Sequence, residues 1–161
     1  MLRDVASRCY WSSRMIWQPS TSTTPVMRRR EQAAGPTLSD IVRLSQPLPV
    51  GAAVVTGAGE LPVEFFIHGV VASIEERVTR ATVRLALMSA LQRAIAFEIK
   101  TVAIAPFGLG AGTLDIDDSA DVMIEVLTEH MARAAFPASV VIVAENDLEL
   151  ETLNHRLRRQ A

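Results

Sequence analysis

Residues 101–120 contain the groups most able to do chemistry in this sequence, and the chemistry they suggest is anion binding. Gly108, Gly110 and Gly112 stand at every second position after a short apolar run that ends at Pro106. Because proline cannot donate a backbone hydrogen bond, the run is typical of a buried strand that stops there. The N–H groups of a glycine loop can point at a phosphate, and the dipole of a following helix favours negative charge.

The residues after the glycines are typical of a helix start. Asp115 stands where an N-cap is expected, and Asp118 lies three residues later, at the position of a capping-box partner. Together with Asp117, these carboxylates count against an anion at the same helix end.

The glycines also suit an ordinary tight turn, which needs positive φ. The spacing matches neither a P-loop, which needs Lys-Ser or Lys-Thr, nor the dinucleotide fingerprint. This stretch alone leaves phosphate binding and a plain turn equally open.

Composition predicts one packed domain. The chain has 161 residues, of which 49% are apolar and 21% charged. No run approaches the roughly 20 apolar residues of a membrane span. Cys9 is the single cysteine, so neither an internal disulfide nor a cysteine metal cluster can form. We therefore expect a cytoplasmic protein that uses no metal, no cofactor and no membrane.

Charge is unevenly distributed along the chain. Residues 1–30 carry six arginines and one acid, whereas residues 31–161 carry ten basic and seventeen acidic residues. Residues 31–161 are therefore acidic overall, which argues against nonspecific binding of this part of the chain to nucleic-acid phosphates.

Residues 1–27 do not conform to the pattern of the rest and are predicted to lie outside the domain formed by residues 28–160. Three interpretations compete for them. A disordered extension is favoured by the Ser-Thr-Pro run at 19–25. An organelle-targeting peptide would suit the many Arg and Ser residues. A packed arm could use Tyr10, Trp11 and Trp17 as anchors.

The remaining segments alternate between apolar strands and amphipathic helices, which predicts a three-layer α/β/α sandwich with a mixed central sheet. Ligands of such folds bind beyond the carboxyl ends of the strands, where residues 106–114 would lie. His68 falls inside an apolar strand and is predicted to be structural.

The predicted elements are helices at 28–34, 37–44, 77–99, 115–134 and from 147 onward, and strands at 52–56, 65–72, 101–105 and 139–144. The predicted buried stripe of the long helix is Val78, Ala81, Leu85, Met88, Leu91 and Ile95.

The order of these motifs resembles the macro domain, the ADP-ribose-binding module. The resemblance covers most of residues 25–150, and it rests on the ordered set rather than on one diagnostic motif. The matching segments are PVMRRREQAAGPTL at 25–38, VGAAVVT at 50–56, Gly59, Leu61-Pro62, Ile67-His68, VAIAP at 102–106, the glycine loop, the helix with Ala120, Met123 and Leu127, and VVIV at 140–143.

This resemblance implies a ligand site in the loop. In macro domains the loop that corresponds to residues 107–114 wraps the diphosphate and the proximal ribose of ADP-ribose. ADP-ribose or an ADP-ribosylated protein is then the expected partner. Leu114 stands where the family often has an aromatic residue beside the ribose. The implied ligand-binding residues are Gly108, Leu109, Gly110, Ala111, Gly112, Thr113 and Leu114.

The sequence departs from the family pattern upstream. The strand with the adenine-binding Asp, the Asn-Ala-Ala-Asn segment and the Gly-Gly-Gly loop have no counterpart in residues 1–27, so catalytic residues stay unassigned. No nucleophile–base set stands out elsewhere. A sheet that lacks those strands has an open edge, which residues 1–27 or a second copy could cover in a homodimer.

The sequence leaves three functions open. The first is a module that binds ADP-ribose or a related nucleotide diphosphate, with weak or no hydrolysis. The second is a structural or interaction protein derived from a macro domain, and the third is an ADP-ribosyl hydrolase.

Overall fold

The computed structural model describes residues 9–14, 48–58, 63–73, 75–109 and 114–160. Strands and helices alternate along most of this part of the chain, as predicted. The strands are β1 Cys9–Arg14, β2 Ala53–Gly57, β3 Phe65–Val70, β4 Thr101–Ile104 and β5 Ser139–Ile142, and the helices are α1 Arg80–Ala96, α2 Ile116–Met131 and α3 Asp147–Gln160.

The five strands form one mixed sheet in the order β2-β3-β1-β4-β5. β2 runs antiparallel to β3, and the other neighbouring pairs are parallel. The carboxyl ends of β1, β3, β4 and β5 therefore lie along the same edge of the sheet. Residues 105–109 continue from β4 at this edge, which is where the sequence places the ligand loop.

β1 is the element that the sequence analysis does not predict. Its register runs from Cys9 opposite Phe65 to Arg14 opposite Val70, and on its other side it pairs with β4. The strand therefore lies inside the sheet, and β2 and β5 form the edges of the described sheet. The domain boundary at residue 27 stays a prediction, since residues 1–8 and 15–47, with the predicted helices at 28–34 and 37–44, lie outside the described residues.

α1 begins three residues later than predicted because of its cap. The Thr79 hydroxyl accepts a hydrogen bond from the Thr82 N–H at 3.1 Å, and the Thr82 hydroxyl accepts one from the Thr79 N–H at 2.9 Å. This reciprocal capping box satisfies two N–H groups that would otherwise lack partners, and it fixes Arg80 as the first helical residue.

The predicted buried stripe is correct at Val78 and Leu91 and wrong at Ala81, Leu85 and Met88. Leu85 and Met88 are 54% and 50% exposed. The prediction is based on large apolar side chains and therefore overlooks the alanines. Alanine side chains are small, so they allow a helix to approach a sheet closely. The side of α1 that is buried consists of Val83, Ala86, Leu87, Ala90, Leu91 and Ala94.

Both faces of the sheet are covered. On one face, Ile67, Val102 and Ile104 belong to the core cluster that includes the buried residues of α1 and α2. On the other face, the alternate residues Phe66 and His68 are 2% and 1% exposed. Two covered faces are what a three-layer α/β/α sandwich requires.

His68 is a structural residue, as the sequence predicts. Its Nε2 lies 2.9 Å from the Thr56 hydroxyl on the adjacent strand β2, and its ring packs 4.8 Å from the Phe66 ring. A hydrogen bond of this kind satisfies a buried imidazole and aligns β2 with β3.

No described helix is both long and apolar enough to span a bilayer.

Candidate ligand-binding site

Phe107 fixes the start of the loop at the carboxyl end of β4. Its side chain is 1% exposed. Its backbone N–H lies 3.0 Å from the Met123 sulfur, and its carbonyl accepts a hydrogen bond of 2.8 Å from the Ser119 hydroxyl. Both partners belong to α2, so the helix that follows the loop also holds the residue that begins it.

The Phe107 ring occupies the space left by a glycine in β3. A Cβ atom built at Gly69 would lie 2.6 Å from the ring Cζ and 3.5 Å from the Ala86 Cβ on α1. The ring is therefore enclosed by β3 and α1, while the backbone is bonded to α2. Three elements of the core converge on this one residue, which sets the direction in which the loop leaves the sheet.

Gly108 adopts a backbone conformation that only glycine tolerates well at this position. Its φ is +87°. A Cβ atom there would lie 2.6 Å from Val83 Cγ2, 3.1 Å from Leu114 Cδ1 and 3.2 Å from Val78 Cγ1. The glycine thus serves both the sharp turn and the close packing of the loop against α1.

The implied binding residues divide into two groups. Gly108, Leu109 and Leu114 are described, and they lie at the two ends of the loop. Leu109 and Leu114 are half-buried, and Leu114 packs against the main core cluster. Residues 110–113 lie outside the described residues.

The loop leads into the N-terminus of α2, as predicted. Asp115 is the N-cap, and its Oδ1 accepts a hydrogen bond of 2.8 Å from the Asp118 N–H. The remaining N–H groups of the first helical turn give this end partial positive charge, which is the feature that favours anions.

Two arginines pair with the carboxylates that the sequence counts against an anion. Arg80 Nη1 of α1 lies 2.7 Å from Asp118 Oδ1, and Arg156 Nη2 of α3 lies 2.8 Å from Asp117 Oδ1. Asp121 is shared, with oxygens 3.7 Å from Arg80 and 3.0 Å from Arg156. Two arginine charges therefore offset part of the negative charge that Asp115, Asp117, Asp118 and Asp121 bring to this end of α2.

The arginines in this network keep their charge. The pKa of Arg80 is raised above its usual value, chiefly by the hydrogen bond to Asp118. The pKa of Arg156 is raised in the same way, chiefly by the hydrogen bond to Asp117. The sequence analysis missed both residues because they lie 38 and 39 positions from their partners, and no local spacing signals such a contact.

The residues of the described part form no group of three or more His, Cys, Asp or Glu side chains that could hold a metal ion.

The fold and the place of the loop define an α/β domain of the class that binds ligands at the carboxyl edge of its sheet. A family model described as "Macro domain" matches residues 26–123, which include the loop and the first turn of α2. The chain belongs to the macro domain family.

Curated relatives agree in sequence but carry no functional name. An uncharacterized protein of Mycobacterium tuberculosis is 27% identical over 99 residues, which cover 62% of this chain and 28% of the relative. An uncharacterized protein of Aeropyrum pernix is 30% identical over 121 residues, which cover 73% of this chain and 61% of the relative. The matched region thus spans about a quarter of the mycobacterial relative and less than two thirds of the archaeal one.

Solved structures confirm the fold class. The Oceanobacillus iheyensis macrodomain with ADP matches with a TM-score of 0.82 at 15% identity, over 96% of this chain and 84% of that chain. The Trypanosoma brucei macrodomain in complex with ADP matches with a TM-score of 0.80 at 12% identity, over 94% of this chain and 63% of that chain. At these identities the likeness establishes the predicted α/β architecture.

Proposed function

We propose that this domain binds ADP-ribose, free or attached to a protein, or a related nucleotide diphosphate. The loop at 107–114 holds the diphosphate and the proximal ribose in this proposal. The observation that carries it is the family match over residues 26–123, which spans the whole loop. The loop residues proposed to contact the ligand are Gly108, Leu109, Gly110, Ala111, Gly112, Thr113 and Leu114.

The described ends of the loop support this proposal on physical grounds. Phe107 and Gly108 are held by packing and hydrogen bonds, so little ordering of the loop's start remains for the ligand to impose. At the other end, the α2 N-terminus provides N–H groups and a favourable dipole. The arginine pairs reduce the repulsion that Asp117 and Asp118 would exert on a diphosphate.

Binding, and not hydrolysis, is proposed. Of the three histidines in the described chain, His68 is buried and bonded to Thr56, His130 Nε2 lies 2.8 Å from the Phe136 carbonyl oxygen, and His155 is an exposed residue of α3. The imidazoles of His68 and His130 are thus engaged in contacts within the fold.

Isothermal titration with ADP-ribose tests the proposal directly. We expect saturable binding, weaker binding of ADP, which lacks the distal ribose, and the weakest binding of adenosine, which lacks the diphosphate. Adenosine is the matched control because the proposed contacts depend on phosphate. Absence of heat at millimolar ADP-ribose, or equal binding of adenosine, would overturn the proposal.

The ion pairs at the α2 N-terminus lead to a separate prediction about ADP-ribose affinity. Arg80→Gln leaves Asp118 without its closest cation, so ADP-ribose affinity should fall about two- to fivefold, the size of a screened surface interaction of about 0.5–1 kcal/mol. The defect should shrink at high salt, because salt screens exposed charges. Titrations at low and high ionic strength measure both effects.

Arg84→Gln is the control for this prediction. Arg84 also lies on α1 and pairs with Glu125 of α2, about two turns away from the loop. Its removal should leave ADP-ribose affinity unchanged. Equal defects in the two variants would show that the ion pairs act on the packing of α1 and α2 and not on the ligand.

A further inference from the structure

β5 is an edge strand with an unusually apolar exposed side. Val140, Val141, Ile142 and Val143 are only half-buried, although the corresponding residues 102–104 of β4 are fully buried. Edge strands of monomeric proteins are commonly protected by lysine, proline or a bulge. β5 has no lysine or proline, and its register with β4 is regular.

The free backbone groups of β5 belong to alternate residues. The Ser139 N–H donates to the Lys100 carbonyl at 3.0 Å, and the Val143 N–H donates to the Ile104 carbonyl at 2.8 Å. Odd-numbered residues of β5 therefore bond to β4. Val140 and Ile142 direct their N–H and C=O groups away from β4, where the described sheet has no further strand.

α3 carries two exposed leucines on one side. Leu150 and Leu157 are 45% and 40% exposed and stand two helical turns apart. Leu153 between them is buried against α2, and Arg156 reaches toward α2 to pair with Asp117. Leu150, Leu153 and Leu157 follow the spacing of one helical stripe. Leu150 and Leu157 lie on the flank of Leu153 that is turned away from Arg156, about 100–120° around the helix from it, and hence away from the side that pairs with α2.

The leucine stripe of α3 lies beside β5. α1 packs on β2 and β3, α2 packs on α1, and α3 packs on α2. Ile142 of β5 packs against the cluster that contains Leu153, which places the stripe of α3 next to the edge strand. The exposed leucines and the free edge of β5 therefore form one surface, which we call the β5–α3 surface.

The charges of α3 are separated along its length. The first half carries Asp147, Glu149 and Glu151, and the second half carries the exposed Arg158 and Arg159, whereas Arg156 is paired with Asp117 of α2. Two such helices placed antiparallel bring each acidic half beside the basic half of the other. A parallel arrangement would place like charges together, which is unfavourable.

We propose that the β5–α3 surface binds a second copy of this chain in a two-fold symmetric dimer. β5 pairs antiparallel with the same strand of the second copy, which extends the sheet across the interface. The two α3 helices then pack side by side, and Leu150 of each copy covers Leu157 of the other. An isologous interface requires a self-complementary surface, and the antiparallel charge match of α3 supplies that property. This proposal is independent of ligand binding.

The mass of the full chain in solution tests the dimer. We expect light scattering after size exclusion to give a dimer at micromolar concentration. The double variant Leu150→Gln/Leu157→Gln should raise the dimer dissociation constant by at least about tenfold. The matched control is Leu85→Gln/Met88→Gln, which alters two leucine-sized, equally exposed side chains on α1 and should leave the dimer intact. A wild-type monomer at every concentration would overturn the proposal.

Charge exchange gives a second variant set that does not depend on apolar burial. Arg158→Glu alone and Glu151→Arg alone should each weaken self-association, because each places like charges across the interface. A mixture of the two variants should restore a heterodimer, since opposite charges then meet at both contacts. Failure of the mixture to associate better than its components would contradict the antiparallel helix arrangement.

Amide hydrogen exchange identifies the strand contact itself. The N–H groups of Val140 and Ile142 should exchange slowly in the dimer and faster on dilution to monomer. A dimer in which these two amides exchange rapidly at all concentrations would be formed by another surface, and it would overturn the proposal as firmly as a monomer.

Discussion

Gly108→Ala is expected to lower the free energy of unfolding by about 2–4 kcal/mol and to abolish measurable ADP-ribose binding. Two separate costs combine at this position. A φ of +87° is strained for any residue with a Cβ. The added methyl group would also lie 2.6 Å from Val83 Cγ2, a 0% exposed side chain that has no free space to move into.

The binding defect should exceed what the lost stability explains. To relieve the contact with Val83, the backbone at residue 108 must rotate or move outward, and the loop that follows must start in a new direction. Hydrogen bonds from a loop to a diphosphate depend on that direction. Titration below the unfolding temperature of the variant separates the loss of affinity from the loss of fold.

Gly57→Ala is the matched control for Gly108→Ala. Gly57 is at the end of β2, and a Cβ atom there would meet no atom within 4 Å. Its φ is not among the positive values. This variant should keep both stability and affinity near those of the wild type. A Gly108→Ala protein that matches Gly57→Ala in both measurements would show that the loop tolerates a side chain at residue 108.

Several parts of this fold can be predicted from local sequence because local physics determines them. The N-cap at Asp115 and the strand that ends before Pro106 depend on nearest neighbours, and both are confirmed within a residue or two. The structural role of His68 follows equally simply from an apolar strand. The order of these elements places the loop at the carboxyl edge of the sheet.

The parts that sequence reasoning missed depend on contacts between distant segments. The buried side of α1 was misjudged because alanines such as Ala86 and Ala90 give a weak apolar signal, yet they allow the closest packing. β1 has no period-two pattern, and its place in the sheet is set by its neighbours β3 and β4. The pairing of Arg80 with Asp118 brings together residues from different helices, so no spacing rule can reveal it.

These tertiary contacts also change how the glycine loop is understood. In the sequence alone, its glycines are equally consistent with a plain turn and with a phosphate site. In the structure, Gly108 is required by the turn and by packing, so the two interpretations do not exclude each other. The same residue that terminates the strand tightly also sets the direction in which the loop starts, at the edge of the sheet where the ligand is proposed to bind.

Gly69→Ala is expected to lower the free energy of unfolding by about 1–3 kcal/mol, although Gly69 has no positive φ and lies outside the loop. The new Cβ atom would lie 2.6 Å from Phe107 Cζ and 3.3 Å from Phe107 Cε1. The ring is 1% exposed and its backbone is bonded to Ser119 and Met123, so it cannot turn away freely. Displacement of the ring should shift the loop and weaken ADP-ribose binding as well.

A double-mutant cycle assigns this effect to the ring. Phe107→Leu removes Cζ and Cε1, the two atoms that the alanine would meet, and it should cost about 1–2 kcal/mol alone through the cavity it leaves. In the combined variant Gly69→Ala/Phe107→Leu the methyl group fills part of that cavity. Chemical denaturation of all four proteins should then give a favourable coupling of about 0.5–3 kcal/mol. Strictly additive losses would mean that Gly69 and Phe107 act independently, and that β3 does not help to fix where the loop begins.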